Sequence, residues 1–202
     1  MTKTEYDARQ LEELVYQALE TELGGVQVYT QAIECAINED LRKEWQEYLE
    51  QTTRHCDILT RVCEDLGLDA GKRTPGREVV AHIGQSLVKA MQLALQSGDR
   101  AAAQLVAAEC VVLAETKDHQ NWELLGHIVE NGKGDAVKVL KLAVEAVEDE
   151  EDHHLYHTTG WCRELWVESL GLPAVLPPPE EVRQVSTKIG AARAEQQRDK
   201  LM

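Results

Sequence analysis

Turn signals are sparse in this chain and fall at five short places: Asn38 to Asp40, Gly67 to Gly76, Ser97 to Asp99, Asn131 to Asp135, and Gly171 through Pro177-Pro178-Pro179. The stretches between them predict helix A over about 8–37, helix B over 40–66, a shorter helix over 77–96, helix C over 99–131 and helix D over 135–168. Composition agrees, because Phe is absent and β-branched runs are few, while Ala, Leu, Glu and Gln are abundant. An all-α class follows. With 202 residues, 43% of them hydrophobic, the chain can bury one substantial core and is too apolar to remain disordered. The expected organisation is one bundle over residues 1–170. A proline linker and a polar helical tail at about 180–199 follow within 171–202, the tail carrying a short stripe of Val182, Val185 and Ile189.

Loop lengths give the topology. A few residues join A to B and C to D, which makes each pair an antiparallel hairpin. Residues 67–98 separate B from C, and at 1.5 Å per residue the helix within them covers roughly 30 Å. Its extended flanks bring the connection to the length of a bundle about 40 Å long. A four-helix bundle with one long crossover fits.

Charge and motifs exclude several functions. The 21 Lys+Arg stand against 36 Asp+Glu, and a net charge of -15 repels phosphate backbones and anionic membranes. No apolar run reaches the roughly 20 residues of a membrane span, and the polar start MTKTEYDARQ has no signal-peptide core. A cytoplasmic protein is expected, without nucleic-acid or membrane partners and self-associating as a homo-oligomer. Cys35, Cys56, Cys63, Cys110 and Cys162 form no C-x-x-C pair and read as reduced core thiols. Gly67-Leu-Asp-Ala-Gly71-Lys72 is one residue short of a phosphate loop, and neither a Gly-x-Ser-x-Gly nor a dinucleotide fingerprint occurs.

Steps of three and four along each long helix pick out its inward face. Helix A gives Leu11, Val15, Ala18, Glu22, Gly25, Tyr29, Ile33 and Ala36; helix B gives Leu41, Trp45, Tyr48, Thr52, His55, Leu59, Val62 and Leu66. Helix C gives Leu105, Ala108, Val112, Glu115, His119, Trp122, Gly126 and Val129; helix D gives Val137, Leu140, Val144, Val147, Glu151, His154, Thr158, Trp161 and Leu165. Every stripe is interrupted by ionisable residues near its middle. The helix midpoints fall at about 22, 53, 115 and 151, so any lengthwise packing of the four brings Glu22, His55, Glu115, Glu151 and His154 to one level. Three carboxylates buried there without counter-charge would each cost several kcal/mol, which a domain stable by about 5–15 kcal/mol cannot absorb. No Lys or Arg lies on the stripes at that level. A divalent metal is the remaining candidate, and Glu with imidazole suits iron, manganese or zinc.

This constellation resembles the ferritin-like superfamily, whose dinuclear centre takes one Glu from each of two helices and a Glu-x-x-His from each of the other two. Glu151-Asp152-His153-His154 is such a motif on helix D, Glu22 and Glu115 are the lone glutamates of A and C, and Tyr29 falls where the family often carries a tyrosine beside the metal. The resemblance spans about residues 8–168 and implies a Glu/His iron site with oxidoreductase activity towards oxygen or peroxide. Helix B departs from it. His55 is in place, but Thr52 stands where the family has a bridging Glu. The site would then have three carboxylates, which leaves mononuclear and dinuclear occupancy open, with Glu50 or His119 as replacement ligands. Glu150 and His153 share the Glu-x-x-His spacing, but their stripe through Ala143, Ala146, His157 and Glu164 is less apolar. Glu20 and Glu109 likewise compete with Glu22 and Glu115 from off the apolar faces. The alternative function is a metal-free bundle whose polar layer fixes register, with Trp161, Trp166 and the tail as a partner surface.

The departure at helix B generates a test. Thr52→Glu would add a carboxylate one turn before His55. At a metal site it should tighten binding of a second ion and speed oxidation of ferrous iron. In a metal-free bundle it should lower stability in every buffer. Thermal melts of parent and variant with and without metal separate the two outcomes.

Overall fold

The structure is a computed structural model that describes residues 5–184. Five helices account for it: α1 (Ala8–Cys35), α2 (Glu39–Asp65), α3 (Pro75–Gln96), α4 (Arg100–Asn131) and α5 (Asp135–Ser169), with no strand among the described residues. Each lies within about two residues of its expected span. Local chemistry explains the ends. Asp7, Asn38, Thr74 and Asp99 accept hydrogen bonds from backbone N–H groups of the first turns of α1 to α4, and Pro75 follows its cap where no backbone donor is needed. Gly67, at φ 70°, closes α2: Leu68 N donates to Cys63 O at 2.8 Å and Gly67 N to Glu64 O at 3.0 Å.

Helices α1, α2, α5 and α4 pack as a ring in which each touches its two neighbours, and α3 lies outside in the groove between α1 and α4. The crossover is therefore a packed element. It buries Val80 and Met91, and it crosses α1 where Gly24 faces Gly84, a Cβ on Gly84 falling 3.6 Å from the Gly24 Cα. Because α4 meets α1, α3 and α5, its buried arc is wide. Its buried residues include the run Val111, Glu115, Asp118, Trp122 and Leu125, at alternating steps of four and three. Of the expected helix C stripe, Ala108, Glu115, His119 and Trp122 are buried, while Leu105, Val112, Gly126 and Val129 are only partly so.

Two apolar clusters fill the ring. One surrounds Trp45, Tyr48, Met91 and Trp161, the other Leu59, Trp122, Leu125 and Val147. The fully buried polar residues lie between them. Trp161 is 0% exposed and donates to Glu44 Oε2 at 2.8 Å, so it belongs to the core; Trp166, 41% exposed, donates to Glu109 Oε1 at 3.0 Å. This removes Trp161 from any partner surface. After α5 the chain folds back along that helix. Val175 N donates to Glu164 Oε2 at 3.0 Å, and Arg163 grips Glu181 through two bonds of 2.8 and 3.3 Å. Residues 180–184 are not helical, and the rest of the expected tail helix lies outside the described residues. No helix among the described residues is long and apolar enough to cross a membrane.

Two glycines on the inner surface should respond oppositely to a methyl group. At Gly126 an added Cβ meets nothing closer than Val144 Cγ1 at 3.9 Å, so Gly126→Ala should gain the helix preference of Ala, about 0.5–1 kcal/mol. At Gly25 the Cβ would stand 3.1 Å from Cγ2 of the buried, stiff Thr52. Gly25→Ala should unfold at a lower temperature than the parent, which thermal melts of the two variants would read directly.

Candidate metal centre

At mid-bundle α1 contributes Glu22, α2 His55, α4 Glu115 and α5 both Glu151 and His154, all buried. Helix periodicity places them. Glu151 and His154 are three residues apart and share one face of α5, and His55 opposes them from α2. His55 Nδ1 is 3.1 Å from Glu151 Oε1 and 3.5 Å from Glu22 Oε1. His154 Nδ1 is 3.6 Å from Glu151 Oε1 and 3.7 Å from Glu115 Oε2. Two groups result, Glu22-His55-Glu151 and Glu115-Glu151-His154, each with its ligand atoms within 4.8 Å of one another, and Glu151 is common to both.

None of these approaches is aligned as a hydrogen bond. Both Nδ1 atoms, Oε2 of Glu22, Oε2 of Glu115 and both oxygens of Glu151 are buried without a hydrogen-bond partner. Nitrogen and oxygen ligands at about 2.1 Å from a divalent ion stand about 3.0–3.4 Å from each other in tetrahedral or octahedral geometry. The 3.1 Å separation falls within that range, and those of 3.5, 3.6 and 3.7 Å lie just beyond it, so the side chains would close slightly on an ion.

The outward atoms are all engaged. His55 Nε2 meets Glu150 Oε2 at 2.8 Å, and Glu150 is held in turn by Arg54 at 2.9 Å. His154 Nε2 lies 2.5 Å from Gln51 Oε1, Trp122 Nε1 donates to Glu22 Oε1 at 2.8 Å, and Tyr29 OH donates to Glu115 Oε1 at 2.8 Å. An Nε2–H that donates to an outer carboxylate or amide oxygen leaves the Nδ1 lone pair free to point inward.

The remaining sequence candidates separate from this centre. His119 faces outward, with Nε2 2.7 Å from Asp152 Oδ1 and Nδ1 3.8 Å from Glu123; it is not among the converging ligands. Glu50 is exposed, Glu20 pairs with Arg77 at 2.6 Å, and Glu109 is exposed beside Trp166. Glu150 serves as the outer partner of His55, and His153 points the other way from His154, to Glu180 at 2.6 Å. Thr52 packs against Gly25. The residue missing from the sequence reading is Asp118. It is 4% exposed, with Oδ1 unpartnered, and its carboxyl faces the acidic groups of the centre. It lies on the run 111-115-118-122-125, which the sequence pattern does not single out from the expected stripe.

Without an ion, the layer must hold protons. Burial, together with Glu22, Glu151 and Glu115, pushes Asp118 well above its ordinary range, and burial reinforced by Glu151 does the same to Glu115 despite the Tyr29 hydrogen bond. Burial outweighs His55 and raises Glu22 to about 7. Burial also opposes charge on Glu151 and His55, yet proximity wins there: His154 and His55 bring Glu151 down to about 2, while Glu151 and Glu22 bring His55 up to about 11. In the metal-free centre burial thus favours protons on Glu115 and Asp118, while proximity favours charge on His55 and Glu151.

Glu151 also reaches a cavity of about 370 Å³ between α4 and α5, whose wall includes His119, Glu123, Glu148, Asp152 and Arg183. Most of the ionisable groups along this cavity are acidic. Comparison of the chain with known protein families, with curated proteins and with solved structures finds no match.

The pH dependence of the metal-free protein follows from these shifts. Acids raised in the folded state stabilise it below their unfolded values near 4 and lose that contribution as pH rises through their folded values, which for Glu22 is about 7. The raised His55 acts in the same direction, its contribution fading from about 6.5 towards 11. Glu151 weakens the fold only as pH falls towards 2. Chelator-treated protein should therefore melt at a lower temperature at pH 8 than at pH 5.5, and the stabilisation by an added divalent ion should grow over the same interval as protons are displaced. Melting scans at the two pH values, with and without metal, check both trends.

Proposed function

We propose that the protein binds two transition-metal ions, iron or manganese with zinc as a further candidate, between Glu22, His55, Glu115, Glu151 and His154, in the manner of ferritin-like carboxylate proteins. The observation that carries this reading is the sharing of Glu151: two ligand groups meet at one carboxylate whose oxygens have no other partner. Charge supports the count. Glu22, Glu115, Glu151 and Asp118 supply four negative charges when ionised, enough to balance two divalent ions beside neutral imidazoles, so the charge that Thr52 fails to provide on α2 comes from α4. Four long helices with an outer crossover are the arrangement in which such centres are built from facing side chains.

Bound iron or manganese would supply electrons for the reduction of oxygen or peroxide. The chain's own groups orient and exclude. Glu150 and Gln51 hold the imidazoles in one tautomer, Trp122 fixes one oxygen of Glu22, and Tyr29 holds a proton at its Oη beside Glu115. Burial and Glu115 keep that phenol protonated well above its usual range. The apolar clusters above and below keep bulk water from the layer, and the nearest cavity, lined in part by Glu151, is mostly acidic.

A second reading, a metal-free bundle in which the layer only fixes register, draws on the His55–Glu151 pair, which can stabilise the layer alone. Metal analysis after anaerobic reconstitution distinguishes them. About two ions per chain that depend on Glu151 are expected. Glu151→Ala should abolish both and His154→Ala one. Asp118→Asn should weaken the second, and Glu150→Ala should cost about 10–100-fold in affinity through its hold on His55. Parent protein whose metal content is the same as that of Glu151→Ala would support the structural reading instead.

A further inference from the structure

The two adjacent histidines of α5 face different places. His154 turns into the centre, whereas His153 turns outward with His157, four residues on; their rings are stacked at 5.1 Å between centroids and 10° between planes. Pairs of histidines at this spacing on one helix face are well suited to chelate one ion. Glu180, on the segment that folds back along α5, meets them: its Oε2 is 2.6 Å from His153 Nε2 and 3.7 Å from His157 Nδ1. Those three ligand atoms lie within 4.8 Å of one another. Glu44 of α2 adds a fourth oxygen, 2.8 Å from His157 Nδ1.

His157 carries the independent sign of a ligand. It is 2% exposed, its Nε2 faces the Pro178 carbonyl at 3.4 Å, and its Nδ1 has no aligned hydrogen-bond partner although it looks into this group of carboxylates. The ligands are also held in advance. Trp161 and Tyr48 donate to the two oxygens of Glu44 at 2.8 Å each. Next to Glu180, Glu181 is buried in its two bonds to Arg163, and on the other side Pro178 is buried against His157. Two imidazole nitrogens and two carboxylate oxygens are a donor set for zinc or a similar borderline divalent ion.

We propose that His153, His157, Glu180 and Glu44 form a second divalent-metal site, separate from the central one, in which the ion ties the segment after α5 to α5 and α2. It takes a zinc-like ion in a structural role. Three elements meet there, so an ion at this point would pin the returning segment along the side of α5. The site uses no ligand of the central layer and stands whether or not that layer binds metal. The ring of Tyr48 separates them, packed on His154 at 4.3 Å and on His153 at 5.6 Å between centroids.

The test is a zinc titration of the full chain, read by bound metal after dialysis and by hydrogen exchange at the amides of Val175 and Glu181. It is run on the parent, on His153→Ala and on Glu180→Ala, each also combined with Glu151→Ala to remove the central site. The side chains of His153 and Glu180 are 33% and 73% exposed, so both variants should fold as the parent does. Glu151→Ala alone should retain one zinc per chain, and adding His153→Ala or Glu180→Ala should remove it or weaken it by more than about tenfold. Zinc should slow exchange at the two amides in the parent and in Glu151→Ala, and in neither outer-site variant. Retention of that zinc in both double variants, or its loss in Glu151→Ala alone, would overturn the proposal. The second result would assign all bound zinc to the central layer, while absence of metal from the centre with retention of the outer ion would overturn only the central reading.

Discussion

Glu151 is the point on which the interior turns. Its carboxylate is buried at the middle of the longest helix, faces His55 on one side and His154 on the other, and has no hydrogen bond of its own. A group in that position must be neutralised by proximity, and everything around it is arranged to do so. His55 approaches from α2 and His154 from the next turn of α5, while Glu22, Glu115 and Asp118 add negative charge that only protons or a cation can offset. Apolar clusters on either side make the layer dry, which strengthens each of these electrostatic terms and makes a half-satisfied layer costly.

The supporting contacts show how a helical bundle aims ligands. Helix geometry brings a side chain to the right level, but its reactive atom must also be turned. Here the turning is done from outside: Glu150, Gln51, Trp122 and Tyr29 each occupy one atom of an inner residue and leave the other facing the centre. Glu150, which shares the spacing of Glu151, is part of this shell because one residue along a helix is a turn of 100°. The same rotation sends His153 to the surface beside His157 and Glu180. One short acidic and histidine-rich run on α5 therefore serves two faces.

The crossover helix and the returning segment complete the frame. α3 covers α1 and α4, the helices that bring Glu22, Glu115 and Asp118, and its close crossing at Gly24 and Gly84 lets it seal their groove. The segment after Gly171 covers α5 instead, where Arg163, paired with Glu164 and Glu181, holds it against the helix. The face between α4 and α5 near Glu151 stays open as the acidic cavity.

Helix positions, the two hairpins and the common level of five ionisable residues were legible in the sequence, because turn residues are few and a 3.6-residue period reports burial wherever a helix has one broad neighbouring face. That condition holds for α2 and α5, whose expected inward residues are buried with only Leu66 partly exposed. It fails for α4, whose apolar residues are spread round its circumference, so that the pattern does not say which line points to the centre and gives no sign of Asp118. The sequence by itself determined an all-helical chain with charge buried at its middle, since periodicity and chain length are local properties. Which atoms converge, that Glu151 belongs to two groups, that Asp118 brings a fourth carboxyl, and that Glu180 returns to His153 and His157 were decided only by tertiary structure, because each depends on the rotation of one helix against another or on a chain reversal that no local pattern encodes.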